Sequence, residues 1–463
     1  MRFFAPACFR PLLFVFLLSL MIPFASRPAF AQSSPPTRKA PPPPPPPPAT
    51  DQEQFISYWT TETGWRTELQ LRNNWSRQDL AVTPVLRTPD GTEVQLSPVT
   101  IKAKEVKSVD LDTLISSSAP QLVGTYGSIV LRYRSPSFSN LYAVAMVRGV
   151  GHSIAFHIDG LNESKDFQAG SREGVWWLPN GSVTGYLILV NQSQSALPIE
   201  LSLFDTSGNS FSKKLSLAPR ATSRLSIRQL LTTAGLMGSF GGIKISAASR
   251  AGSLDSLHFL FDEKAGFSAI LKMFDYDPKG RIADRDRAGT GVWTLRAPLL
   301  ALSNPDPALA FPAGTILQPQ LFIRNTTARP LTASLSFNWR SDANTGRARG
   351  PVLHLRPFET QRVDVAALQD GKVLPQDAHW ASVTLTTDSQ PREVIAVAAS
   401  YDQTLRYGAQ TPFSDMTPSS PWVTAVPGQP RRPSPSSIIK GRRNTNWNKS
   451  SNRRNKCGST WAN

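Results

Sequence analysis

The stretch Glu68-Leu-Gln-Leu-Arg-Asn73 alternates apolar and polar residues and ends on an asparagine, and two similar stretches follow it. They are Leu187-Ile-Leu-Val-Asn191 and Gln320-Leu-Phe-Ile-Arg-Asn325. Alternation of this kind predicts a β-strand with one buried face. We therefore expect the same strand to occur three times, as part of a unit that is repeated along the chain.

The residues around each asparagine recur in the same order, with a second alternating strand at residues 80–86, 197–204 and 331–339. Turn signals such as Thr88-Pro-Asp-Gly91 separate the strands, because proline presets φ and glycine takes the strained position. The asparagines are 118 and 134 residues apart. Solenoid and propeller repeats have shorter periods of about 20–50 residues. Each copy is therefore predicted to be a whole domain.

Short strands separated by turns predict an all-β fold of the sandwich type. The predicted β-sandwich domains span residues 51–166, 174–277 and 291–415. This strand order resembles exported bacterial proteins built of tandem immunoglobulin-like β-sandwich domains, although the Cys…Trp…Cys pattern of antibody domains is absent. The resemblance is one of architecture, and it implies adhesion, scaffolding or ligand binding without specifying one activity.

The first 50 residues have the pattern of an export signal followed by a spacer. Arg2 and Arg10 are followed by a short apolar run and by Ala29-Phe-Ala31, which predicts a signal peptide over residues 1–31. An uncleaved N-terminal anchor is the alternative. The Pro-rich segment 32–50 contains eight consecutive prolines, which predicts a disordered linker with an extended polyproline stretch. We expect the protein to be periplasmic, cell-surface or secreted.

The formal net charge of +17 is concentrated outside the predicted domains. Residues 428–463 contribute nine positive charges, residues 1–31 three and residues 32–50 two, which leaves +3 for the rest. The predicted domains therefore lack the charge expected of a specific nucleic-acid-binding surface. The tail 427–463 is predicted to be basic and disordered, and contact with anionic polymers or a membrane surface is its alternative role.

Two tryptophans are the candidate ligand-binding residues. Trp75 lies in a polar turn, and Trp177 follows Trp176 on a strand, so that one of this adjacent pair is expected to face outwards. Exposed tryptophan rings would stack on sugar rings. The alternative is that the tryptophans pack inside the domains or between them, as the similar settings Gly174-Val-Trp176 and Gly291-Val-Trp293 indicate.

A weak calcium candidate occupies the segment between the second and third predicted domains. Asp275, Asp277 and Asp286 match the acidic positions of a calcium loop, but Lys279 stands where another ligand is expected. A charged, solvated hinge is the alternative. The five histidines show no zinc-binding spacing, and we predict neither a metal nor a cofactor.

Catalysis is the least favoured class of function. Gly151-His-Ser153 resembles the start of a hydrolase nucleophile elbow, but an apolar strand follows it where that motif requires a helix. No catalytic residues are predicted. The sequence favours a non-enzymatic exported structural, adhesion or interaction protein whose partner is an unknown protein or polysaccharide at the cell surface. The alternative is a cell-surface carbohydrate-binding protein that uses Trp75 or Trp177.

Overall fold

The computed structural model describes residues 47–151, 153–161, 171–247, 253–276, 293–306, 311–312, 314–390, 392–402, 404 and 408–415. The predicted signal peptide, residues 32–46 of the Pro-rich linker and the basic tail lie outside these residues. The chain divides into two compact units, Met1–Pro48 and Ala49–Asn463. The fold below belongs to the second unit.

The first nine strands form two antiparallel sheets. One has the order β1-β7-β3-β4, with β5 paired to β3, and the other has the order β6-β2-β8-β9. The strands are β1 (Thr50–Thr60), β2 (Trp65–Asn73), β3 (Leu80–Arg87), β4 (Glu93–Gln95), β5 (Val99–Ile101), β6 (Val106–Asp110), β7 (Tyr126–Ser135), β8 (Leu141–Gly149) and β9 (Ala155–Asp159). We call these two sheets the first sheet pair.

The next nine strands form the second sheet pair, with the orders β13-β12-β15-β10-β18 and β14-β11-β16-β17. The strands are β10 (Ser171–Trp177), β11 (Thr184–Asn191), β12 (Leu197–Phe204), β13 (Ser210–Leu217), β14 (Thr222–Ser226), β15 (Phe240–Ala247), β16 (Leu254–Asp262), β17 (Phe267–Leu271) and β18 (Phe274–Tyr276).

The last nine strands form the third sheet pair, with the orders β22-β21-β24-β19-β27 and β23-β20-β25-β26. The strands are β19 (Trp293–Ala301), β20 (Leu317–Asn325), β21 (Leu331–Arg340), β22 (Thr345–Leu355), β23 (Thr360–Asp364), β24 (Trp380–Thr387), β25 (Val394–Asp402), β26 (Gly408–Pro412) and β27 (Ser414–Asp415). The predicted all-β fold class is confirmed, and the paired sheets are compatible with a β-sandwich architecture.

A short helix occurs at the same place in each sheet pair. The helices are α1 (Leu111–Ser118), α2 (Ile227–Ala234) and α3 (Val365–Asp370). Asp110, Ser226 and Asp364 cap them by accepting a hydrogen bond from a first-turn backbone N–H. Within the described part of the chain, no helix has the length and apolar character needed to cross a membrane.

The asparagines that end β2, β11 and β20 explain why the same stretch of sequence recurs. Asn73, Asn191 and Asn325 are each 0% exposed. The Asn73 side-chain amide donates to the carbonyls of Gln78, Ile101 and Lys102 at 2.9–3.2 Å. The other two asparagines donate to three equivalent carbonyls each. One buried amide therefore holds two neighbouring turns together in every copy.

Three clusters of buried hydrophobic side chains lie between the paired sheets, and two of them extend into the next pair. The first cluster includes four side chains of the second sheet pair, which are Ile188, Val190, Phe259 and Phe261. The second cluster includes four side chains of the third sheet pair, which are Phe322, Val397, Ala399 and Tyr401. Burial between the pairs is therefore part of the hydrophobic core.

Candidate functional site: the joints and the aromatic cleft

A β-hairpin of the first sheet pair packs against a turn of the second. The hairpin joins β3 to β4, and its tip carbonyl on Pro89 accepts a hydrogen bond from the Thr222 amide at 3.1 Å. Gly91 lies so close to the turn that a Cβ atom on it would stand 1.9 Å from the Pro219 carbonyl oxygen. Glycine is therefore required here both by its φ of +91° and by the neighbouring chain.

The second and third sheet pairs meet through the same contact. The hairpin between β12 and β13 places the Thr206 carbonyl 3.4 Å from the Thr360 amide, which donates to it. A Cβ atom on Gly208 would stand 2.4 Å from the Pro357 carbonyl oxygen. We call this arrangement the joint, and we call residues 218–222 and 356–360 the receiving turns. The two joints have the same strand order, and the same backbone hydrogen bond is formed in each of them.

Each receiving turn contains one non-glycine residue in the left-handed region. Arg220 has φ 58° and Phe358 has φ 59°, and both side chains point into their joint. Arg220 forms an ion pair with Glu93 at 3.0 Å, whereas the Phe358 ring stacks on Phe204 with centroids 5.3 Å apart. The joint therefore keeps its backbone geometry while its side-chain chemistry changes from ionic to aromatic.

A buried ion pair connects the second and third sheet pairs at the second joint. Arg324 and Glu173 have side chains that are 0% and 1% exposed, and their Nη2 and Oε2 atoms lie 3.2 Å apart. Burial raises the pKa of Glu173, and the charges of Arg324 and Lys244 oppose that rise. The guanidinium also lies 4.3 Å from the centre of the Phe204 ring. Gly242 leaves room for the Arg324 guanidinium, because a Cβ atom at this position would lie 1.8 Å from Arg324 Nη1.

A cleft of about 220 Å³ opens beside the first joint and is lined by aromatic rings of both sheet pairs. Trp65 is half-buried in it and stacks on Phe156 with centroids 5.9 Å apart. The Phe261 ring meets Trp65 edge-on at 5.2 Å, and Phe259 stacks on Phe156 at 4.6 Å. Flat apolar walls with a few polar groups are typical of small-ligand sites.

Charged groups close one end of this cleft. Arg224 donates to both carboxylate oxygens of Glu62 and to the Tyr58 hydroxyl, the last at 3.1 Å, and it lies over the rings of Tyr126 and Tyr186. Burial raises the pKa of Tyr58 to about 12, although Arg224 opposes that shift. Burial alone would lower the pKa of Arg224, but its bonds to Glu62 and Tyr58 outweigh burial and raise it.

The expectation that Trp177 is exposed is wrong. Its side chain is 1% exposed, and its ring lies 5.5 Å from Phe322 and 4.9 Å from Tyr401 of the third sheet pair. Trp176 is buried as well, at 0%, so both faces of β10 are covered. An edge of Trp177 lines a cleft of about 270 Å³ where strands of all three sheet pairs meet. Its packing between sheet pairs corresponds to the alternative interpretation from the sequence.

Trp75 is half-buried and packs against the first hydrophobic cluster. Its backbone N–H donates to Asn73 Oδ1 at 2.9 Å, so the asparagine fixes the turn that carries it. The structure does not bring Trp75 and Trp177 together, because they pack into different clusters. The ligand-binding role of Trp75 stays a prediction.

The calcium candidate falls largely outside the described residues. Asp275 lies in β18, but its side chain, Asp277 and Asp286 are not among the described parts. Ser153 is exposed and precedes β9, the strand that the sequence predicted there. In the described part of the chain, no group of three or more His, Cys, Asp or Glu side chains is placed to hold a metal ion.

The sequence did not indicate the aromatic cleft, because the cleft is lined by strands of two different sheet pairs. In β16 Leu257, Phe259 and Phe261 pack into the first hydrophobic cluster, whereas Leu254 and Leu260 pack into the second. A strand with two apolar faces indicates that both faces are covered, and that signal was present in the sequence. A scan against protein-family models and a search of curated proteins found no match to this chain.

Proposed function

We propose that the chain is an exported, non-enzymatic structural, adhesion or interaction protein that acts through the surfaces of three tandem immunoglobulin-like β-sandwich domains. The domains correspond to residues 51–166, 174–277 and 291–415, and the export signal to residues 1–31. The observation that supports this proposal is the repeated joint, in which Gly91 and Gly208 seat one hairpin after another on a receiving turn. Such a joint sets the orientation of successive surfaces, which a scaffold or an adhesin requires.

The proposal is tested by mixing the purified chain with cell-envelope fragments of the producing organism and sedimenting them. We expect saturable co-sedimentation that is lost when the fragments are treated with protease or with polysaccharide-degrading enzymes, according to the partner. Absence of saturable binding contradicts the interaction role. Turnover of an ester or peptide substrate that Ser153→Ala abolishes contradicts the non-enzymatic role.

A second candidate function is carbohydrate binding in the aromatic cleft. The half-buried Trp65 ring lines the cleft with the buried Phe156 stacked against it, and the Glu62 carboxylate with Arg224 stands at one end of the cleft. Sugar rings stack on aromatic faces while their hydroxyls bond to charged groups. This moves the predicted binding residue from Trp177, which is buried, to the half-buried Trp65.

Binding to a panel of soluble polysaccharides tests this second candidate. Trp65→Ala is expected to weaken binding in the cleft at least tenfold, because one stacking face is lost, whereas Trp75→Ala tests the other candidate site and leaves binding in the cleft unchanged. Thermal unfolding of both variants separates lost binding from lost folding. Loss of binding in Trp75→Ala alone would place the site at the Trp75 turn instead.

A further inference from the structure

The first sheet pair contains a third receiving turn that no hairpin of the described chain covers. Residues 102–106 correspond to the two receiving turns of the joints, with Lys104 standing where Arg220 and Phe358 stand. Lys104 has φ 62°, close to the values of 58° and 59° at the other two positions. The turn therefore has the backbone conformation of its counterparts although no described hairpin is docked on it.

The side-chain hydrogen bonds that hold the free turn, residues 102–106, match those of the receiving turn in the second joint. Asn73 donates to the carbonyls of Ile101 and Lys102, as Asn325 does to those of Leu355 and Arg356. The Lys102 amide donates to Glu105 Oε2 at 2.6 Å, and the Arg356 amide donates to Glu359 Oε2 at the same distance. The free turn is thus preorganised, which lowers the entropic cost of docking.

Exposure shows that the free turn is uncovered. Val106 is 64% exposed, whereas its counterparts Thr222 and Thr360 are 2% and 1% exposed. In both joints the amide at this position donates to the tip of the docked hairpin. Val106 begins β6, which is an edge strand of its sheet, so none of the described strands stands in the way of an added hairpin there.

We propose that this free turn binds an acidic β-hairpin of a partner protein, one whose four-residue tip ends in glycine and carries a carboxylate two residues later. Such a hairpin has the plan of Thr88-Pro-Asp-Gly91-Thr-Glu93, in which Glu93 pairs with Arg220. Lys104 takes the place of Arg220, and Lys102 and Lys107 add positive charge beside it. The inference rests on the proposed interaction function and names its partner.

The chain's own third hairpin is a poor occupant of this turn. It joins β21 to β22 through Ser341-Asp-Ala-Asn344, where Asn344 stands at the end of the tip in place of glycine. In both joints a Cβ atom at the glycine position would overlap a carbonyl oxygen of the receiving turn. A second copy of this chain therefore lacks the required shape, and the observations favour a different polypeptide.

The sheet beside the free turn indicates that docking is reversible. Gln70 and Arg72 are exposed where the equivalent Ile188 and Val190 are buried at 0% in the first joint. This face of the first sheet pair is polar and can remain in water when the partner is absent. A polar contact surface is typical of interfaces that form and separate.

The test uses the full chain and a fluorescent, cyclised peptide that copies residues 85–95. We expect saturable binding by fluorescence anisotropy, weakened at least tenfold by Gly→Ala at the peptide position of Gly91.

Lys104→Glu is expected to weaken binding about tenfold, because the ion pair becomes a repulsion. Glu→Lys at the peptide position of Glu93 has the same effect alone and restores binding to Lys104→Glu. Lys213→Glu, at an exposed site on β13, is the matched control and changes nothing.

No saturable binding, or binding that ignores both Lys104→Glu and the peptide alanine, overturns the inference. Sedimentation velocity supplies the other outcome: concentration-dependent self-association that Lys104→Glu abolishes identifies a second copy as the occupant and contradicts a separate partner. If Lys104→Glu still binds cell-envelope fragments like the unchanged chain, the proposed function stands and this site is rejected.

Discussion

The side chains of Asn73, Asn191 and Asn325 form equivalent hydrogen bonds in the three copies. This explains why an asparagine ends the same strand in every copy. Each is fully buried and donates to three backbone carbonyls. Buried carbonyls that lose their donor are costly, because they cannot be solvated. The sequence predicts the strand that leads to each asparagine, but the bonds that require its amide are visible only in the folded turns.

Replacing Asn73 with alanine is expected to destabilise the protein by about 2–3 kcal/mol, since three bonds to buried or half-buried carbonyls are lost. Urea unfolding followed by tryptophan fluorescence measures the change. Asn74→Ala is the control, because the Asn74 side chain is exposed and makes one bond, to the Ser139 carbonyl. Equal losses in the two variants would contradict the role assigned to Asn73.

His258 is a second residue whose burial has a measurable consequence. It is 0% exposed, its Nδ1 lies 3.2 Å from the Val175 carbonyl, and burial lowers its pKa to about 4. The unfolded chain protonates this ring near its ordinary pKa of about 6.5. Between these values the unfolded state binds more protons, so stability falls as the pH falls.

We expect the free energy of unfolding to decrease by about 2 kcal/mol between pH 7 and pH 5 through His258 alone. Urea titrations at pH 7, 6 and 5 measure this decrease. His258→Leu is expected to remove it, because leucine does not titrate. If the variant and the unchanged protein lose stability in parallel over this range, His258 is not the cause.

The strands are the elements that the sequence predicts best. Apolar alternation and the turn signals placed the strands that carry the asparagines, and the all-β class is confirmed. The helices α2 and α3 were missed because each is short and follows a strand directly. Their local signals were the N-cap residues Ser226 and Asp364 and the C-cap glycines Gly235 and Gly371.

Sequence comparison between copies failed where strand register decides the position of a side chain. The settings of Trp176 and Trp293 look alike, but Trp176 pairs with Gly241 near the start of β15, whereas Trp293 pairs with Thr387 at the end of β24. The two rings therefore occupy opposite ends of corresponding strands. Trp177 was misjudged for a related reason, because the third sheet pair covers the face that an isolated strand would expose.

The ion pair between β10 and β20 is expected to show strong coupling. Arg324→Met leaves the Glu173 carboxylate buried without its arginine partner, although Lys244 remains 3.5 Å away, at a cost of about 3–5 kcal/mol. The double variant Arg324→Met, Glu173→Leu is expected to recover most of that loss, because no buried charge then lacks its partner. A double-mutant cycle by chemical denaturation measures the coupling, and additive losses would contradict it.

The hairpin glycines connect successive sheet pairs. The sequence explains only one of the two requirements for glycine at these positions. A turn such as Thr88-Pro-Asp-Gly91 requires glycine for its own φ. The approach of Gly91 to Pro219 adds a second requirement, and it becomes visible only when the neighbouring sheet pair is in place. The joints could not be predicted because they depend on residues more than a hundred positions away.

Gly91→Ala and Gly124→Ala form a matched pair that isolates the joint. Both glycines have positive φ, at +91° and +81°, but a Cβ atom on Gly124 meets nothing within 4 Å. Gly124→Ala is expected to cost about 1 kcal/mol from backbone strain. Gly91→Ala is expected to cost more and to split the calorimetric transition, because it separates the first two sheet pairs. Identical calorimetric traces would show that the joint contributes nothing.

For the molecule as a whole, the repeated joint carries the proposed function, because it holds successive surfaces in one arrangement. The hydrophobic clusters that cross from pair to pair have the same effect, since independent movement would expose Phe259, Phe322 and their neighbours. Among the described residues, the row of joined sheet pairs ends at the polar face of the first sheet pair, which carries Gln70 and Arg72. A partner that fits the free turn would extend it.

The distance distribution between spin labels on the first and second sheet pairs tests this account most directly. Labels are placed at the exposed positions Thr100 and Lys213, with Cys8 and Cys457 replaced by serine. We predict one narrow distribution for the otherwise unchanged chain and a broad one for Gly91→Ala, measured by pulsed electron paramagnetic resonance. A broad distribution in both proteins would contradict a fixed joint and the scaffold function built on it.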